Sequence, residues 1–242
     1  MNEEIAQNTR ILTARKGYEY RLDDLRLTML CTPPLVQRIK DAFHFQVASI
    51  TTPPEIFGPV QVTLPAGLAF QLGMWPMNEE QIVPIRFLHI EPQRVVIDVG
   101  GPSSAVDGIY ARLHEIVDGI TAPDNGPVLG EPERILTFSE ISFPSSGALK
   151  MLLKPNVQAL LTDTARQAEH NQEVELLSIL QFRGQPASDT FHGEMNPSDG
   201  HTFTLSLRAG TGLNSQTYYS GAPLDTDAHL AYLNALTAAL SD

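Results

Sequence analysis

A chain of 242 residues with 42% hydrophobic and 18% charged residues is long and apolar enough to bury a core, which excludes a disordered chain. Sixteen basic residues against 28 acidic ones leave a net charge of −12; the densest basic group, Arg10, Arg15, Lys16 and Arg21, is flanked by Glu3, Glu4, Asp23 and Asp24, so neither nucleic acid nor an anionic membrane surface is expected as a partner. The single cysteine, Cys31, excludes an internal disulfide framework. The opening MNEEIAQNTR is no secretory signal, and no apolar run approaches the roughly 20 residues that span a bilayer, so a cytoplasmic protein is expected.

Residues 1–18 lack a clean period and read as an N-terminal arm. From Tyr18 to Cys31 the pattern turns strand-like, until Thr32-Pro33-Pro34 breaks it. Thr32 is placed to cap a helix whose first turn tolerates proline, and Leu35, Val36, Ile39 and Phe43 repeat at helical spacing to about His44. The spacing then predicts β-strands over 46–51, 60–64, 68–73, 82–90 and 94–99, separated by Pro- and Gly-containing turns, which reads as an antiparallel meander. Pro84 argues that its strand starts later or lies at an edge. After Gly101, Val106, Ile109, Tyr110, Leu113, Ile116, Val117 and Ile120 build one apolar helical stripe, and Ser104 with Asp107 resembles a capping arrangement.

Residues 121–134, TAPDNGPVLGEPER, read as a linker. Beyond it a strand is expected over 135–143, helices over 148–153 and 156–169, strands over 173–183, 202–207 and 215–219, and a last helix begun by Pro223 and Asp225. Its core face is Leu230, Leu233, Leu236 and Leu240. The stretch 219–240 echoes 99–120 at an offset of 120, aligning Gly221 with Gly101, Asp227 with Asp107 and Leu233 with Leu113. The expected fold is therefore α+β in two similar halves, 19–120 and 135–242. Each is a strand-helix-strands-helix unit with an antiparallel sheet covered by helices on one face. That order resembles duplicated saddle folds and helix-grip folds in topology alone, and topology implies no activity.

Chemistry is sparsely marked. His192, Glu194 and His201 form the densest polar cluster; imidazole and carboxylate suit zinc or iron, yet a solvated hairpin tip explains them without a metal. His89 lies in an apolar strand, His114 on a helix flank, and His229 at the position of Ile109 in the echo. No serine elbow and no dinucleotide fingerprint occurs, and Cys31 reads as a small buried hydrophobe. Gly73-Met74-Trp75-Pro76-Met77 is the one segment with a binding character: the only Trp stands between two Met in what reads as a turn, and such side chains make adaptable contacts. Met74, Trp75 and Met77 are the candidate binding residues, against the plainer reading that Trp75 folds onto the core.

The expectation is a non-catalytic interaction or assembly protein, with a protein partner or a second copy and no cofactor. Two alternatives are a small-ligand binder with a cavity between sheet and helix, and a metal-dependent enzyme using His192, Glu194 and His201.

Overall fold

The computed structural model describes residues 9–51, 67–118, 120, 126–144, 180–183, 202–207 and 217–239. The fold is α+β, dominated by antiparallel sheet with a few helices. It divides into two compact units, Thr13–Ser139 and Glu140–Asp242 together with Met1–Leu12. Among the described residues no helix is long and apolar enough to cross a membrane.

In the first unit the elements are β1 (Arg10–Glu19) from Thr13 on, α1 (Leu27–Leu30), α2 (Pro33–Ala42), β2 (Val47–Thr51), β3 (Gly67–Pro76), β4 (Ile82–Glu91), β5 (Arg94–Val99) and α3 (Ser103–Val117), followed by the first half of β6 (Arg134–Pro144). The strand order is β2-β3-β4-β5-β1-β6. Arg10–Glu19, expected as an arm, is thus a strand between β5 and β6. Its burial runs in pairs, Thr13 with Ala14 and Gly17 with Tyr18, one residue of each pair on either face, so the strand shows no apolar alternation in sequence. Leu27–Leu30, expected to continue a strand, is one helical turn with Leu27 and Leu30 buried.

The inner face of this sheet carries Ala14, Tyr18, Leu68, Phe70, Val83, Ile85, Leu88, Ile90, Val95, Ile97 and Val99. The helices lie against it with Leu35, Ile39, Val106, Ile109, Leu113 and Ile116, all buried. Each such side chain contributes roughly 1.5–3 kcal/mol when removed from water, so the apolar stripe of α3 is the strongest local determinant here. Val128 and Leu129, within the expected linker, are buried in the same core.

The ends of the helices differ from the expected caps. Thr32 stands at the N-cap of α2 with proline in the first turn, but its hydroxyl donates to Met29 O (3.0 Å). α3 starts at Ser103 behind an extended Pro102 with no side-chain cap bond, and Asp107 instead accepts Lys16 Nζ at 2.6 and 2.8 Å. The α2 helix ends at Phe43 and His44, the latter in the left-handed region (φ 53°). Phe43 O accepts the amide of Met74 at 2.8 Å, which ties this helix end to β3. Pro84 lies inside β4, between β3 and β5 rather than at an edge. It is tolerated because β5 ends opposite Ile85, leaving Pro84 only its carbonyl to satisfy, which Gly100 N does at 2.9 Å.

In the second unit the rest of β6 neighbours β9 (Thr217–Ala222), then β8 (Thr202–Leu207) and β7 (Leu180–Arg183). The last helix, α4 (Thr226–Ala239), begins behind Asp225, whose Oδ1 accepts the Ala228 amide at 2.8 Å as a cap should. Leu233 packs with Ile141, Phe143, Leu205 and Tyr218, and Leu230, Tyr232 and Leu236 lie against them. The helices expected over 148–153 and 156–169, the strand over 60–64, and Leu240 fall outside the described residues.

Candidate functional site

The geometry that organises a surface begins with a kink across β3 and β4. The ladder pairs Gln71 with Phe87 and Gly73 with Ile85, leaving Leu72 and Arg86 out of it at the same level. Leu72 has φ 58°, a left-handed conformation costing a non-glycine residue roughly 1 kcal/mol or more. On the other side of β4 the register against β5 shifts between Ile85 and Phe87. Such an irregularity re-aims side chains. Before it Leu68 and Phe70 face inward; after it Gly73 and Trp75 do.

Met74 and Trp75 are therefore separated onto opposite faces, and the segment expected as a turn is strand through Pro76. The Trp75 ring packs 6.0 Å from that of Phe43 and lies where a Cβ on Gly108 would be 2.9 Å from it, so α3 needs glycine there. Met77 also packs against the core. Met74 stays 48% exposed on the outer face, and Leu72 at the kink is 55% exposed. Met74 pairs with Pro84, and Pro76 with Ile82, which is 65% exposed. Val47, exposed on β2, pairs with Gln71 on the same outer face. Asn78 fixes the turn between these strands, its Oδ1 accepting the amides of Glu80 (3.0 Å) and Gln81 (2.8 Å). Trp75 thus anchors the site from behind, and Met74 with Leu72, Val47 and Ile82 presents it.

Toward the middle of the same outer face stands a buried carboxylate. Asp98 is 0% exposed. Arg15 donates Nε–H to its Oδ2 at 2.8 Å and brings a terminal nitrogen to the same oxygen at 2.8 Å; Arg86, turned by the kink, brings its own to 3.7 Å from Oδ1. Arg15 also lies over the Phe87 ring at 5.4 Å, and Phe87 lies 4.5 Å from the His89 ring. Burial pushes the His89 pKa down, Glu91 opposing and Arg15 assisting. A buried carboxylate this close to guanidinium groups ties β5 to β1 and β4 and orients the strand face.

Two other polar groupings are structural in character. Tyr18 and Tyr110 stack at 3.7 Å between β1 and α3, and Tyr20 and Tyr110 share a 2.6 Å hydroxyl–hydroxyl bond. Burial is the main cause that raises all three phenols, so they stay protonated at neutral pH. His114 meets Tyr110 edge-on at 4.7 Å, and burial lowers its pKa against the pull of Glu131 and Asp118. In the second unit Ser220 Oγ and His229 Nε2 are 2.9 Å apart, the spacing of a nucleophile and its base. Both are buried, at 2% and 0% exposure, and burial pushes His229 down to about 4, so the pair is a core hydrogen bond without an open approach for substrate.

Among the described residues no group of three His, Cys, Asp or Glu side chains could hold a metal ion. His192, Glu194 and His201 lie outside those residues. The half-buried Cys31 thiol has its pKa raised by burial, which keeps it a poor nucleophile. The outer-face surface was legible in sequence only through Met74; Leu72, Val47 and Ile82 read there as ordinary strand positions. No protein-family model matches this chain, and no curated protein matches it.

Proposed function

We propose that this chain is a non-catalytic interaction or assembly protein whose contact surface is formed by β2, β3 and the start of β4. One observation carries the reading. Of the seven exposed large apolar side chains among the described residues, four, Val47, Leu72, Met74 and Ile82, lie together on these three strands, while Ile50 of β2 projects from the opposite, inner face. Apolar side chains gathered in one place on a surface mark contact sites more often than scattered ones do. The left-handed Leu72 adds to it, since backbone strain is retained where the surroundings over-determine it.

A photo-crosslinking residue placed at Met74 in the cell tests this, with the same residue at the exposed Glu115 on α3 as the control. Protein adducts at position 74 and none at 115 are expected. Equal adducts at both positions, or none at 74, refute the reading.

The two units are read as duplicated halves on the same footing. Supporting it, β1-β5-β4-β3 in one unit has the order of β6-β9-β8-β7 in the other. At an offset of 120, buried Ile109 and Leu113 of α3 correspond to buried His229 and Leu233 of α4. The strand ends do not follow that offset, since β5 ends at Val99 and β9 at Ala222.

A further inference from the structure

We infer that the partner of the β2 edge is a second copy of this chain, paired antiparallel strand to strand about a two-fold axis at Ser49. This pairing rests on the interaction role proposed above and names its occupant.

β2 ends the strand order, so one of its backbone edges meets no described strand. Sheet edges that must stay single are ordinarily guarded by charge, proline or a bulge. Here Gln46–Thr51 holds neither a charged residue nor a proline, and its ladder with β3 is regular. The lack of charge extends further: from Phe45 to Asn78 the sequence has a single charged residue, Glu55, although 18% of the chain is charged. β2 and β3 carry none. At a net charge of −12 two copies repel each other over most of their surface, and this edge is where they approach without opposing like charges.

The strand is also complementary to itself. Antiparallel pairing about Ser49 sets Ala48 of one copy opposite Ile50 of the other, and Val47 opposite Thr51, an arrangement every two-fold dimer must satisfy. Ile50 shares the inner face with buried Leu68 yet is exposed, and no described strand lies beyond β2; a second β2 supplies that neighbour. The exposed Val47 and Met74 on the outer face then extend across the axis as one surface.

The test is light scattering with size exclusion, and native mass spectrometry, on the full chain over about 1–100 μM, with Ser49→Lys and Met74→Lys beside the wild type. The wild type is expected to approach about 53 kDa, twice its 26.5 kDa. Ser49→Lys places two like charges opposite each other at the axis and is expected to weaken the dimer at least tenfold, while Met74→Lys, one strand in, retains it. Should Ser49→Lys fail to fold, hydrogen exchange on the wild type decides: the β2 amides gain protection with concentration. A monomer throughout, or a dimer lost in Met74→Lys and kept in Ser49→Lys, overturns the edge pairing. Crosslinking at Met74 reports separately on the interaction role, so the two can fail independently.

Discussion

His229 offers the sharpest test of the packing in the second unit. It is 0% exposed, bonded to Ser220, and held at about 4 by burial, against 6.5 for a histidine in the unfolded chain. The unfolded state therefore takes up the proton first. Stability is complete above pH 6.5 and falls as pH drops toward 4, by about 1.4 kcal/mol per unit and about 3 kcal/mol in all. The position in the first turn of α4 acts in the same direction, since a helix N-terminus disfavours a cation. Other groups also titrate in this range, and burial lowers His89 and His114 as well, so the readout is a difference. His229→Leu, which installs an aliphatic side chain where α3 has Ile109, removes only this contribution. Urea unfolding of both proteins from pH 7.5 to 4.5 is expected to show the wild type losing roughly 2 kcal/mol more than the variant by pH 5. Parallel loss in the two proteins refutes the assignment of a buried, neutral imidazole.

Further outcomes follow from the first unit. Trp75→Ala, which empties the contact with Phe43 and Gly108, is expected to cost about 2–4 kcal/mol in chemical unfolding, and Met74→Ala next to it under about 0.5 kcal/mol; equal losses would mean the two share a face. Gly108→Val pushes a side chain into the Trp75 ring and is expected to lower the melting temperature and to change tryptophan fluorescence, whereas an unchanged spectrum contradicts that contact. Asp98→Ala leaves the Arg15 guanidinium without its carboxylate; because Arg15 is 35% exposed on its side chain, the cost is about 1–3 kcal/mol rather than that of a fully buried pair, and a neutral result in unfolding experiments would show the ion pair to be dispensable.

The candidate surface was only partly legible, and the reason is a matter of phase. In sequence 68–73 reads as a strand and Gly73 to Met77 as a turn that presents Met74, Trp75 and Met77 together. The strand instead runs through Pro76, and the left-handed Leu72, opposite Arg86, shifts its alternation, so Trp75 goes in and Met74 comes out. Periodicity reports a face only while the strand stays regular, and nothing in the composition of β3 announces a leucine at positive φ. Asp98 looked like one more strand residue, because its partners Arg15 and Arg86 are distant in sequence and meet it only across β1, β4 and β5.

By itself the sequence determined many of the local elements. The helical stripes of α2, α3 and α4, the strand character of β2 to β5 and the Asp225 cap follow from short-range rules of period and capping, whereas the turn expected at Gly73 to Met77 lies at Asn78. The tertiary structure decided what those elements face. β1 became an interior strand because β5 and β6 flank it, Leu27–Leu30 became a helical turn, and Val128 and Leu129 joined the core. Which side of a strand is covered depends on neighbours dozens of residues away, and local propensity carries no information about them.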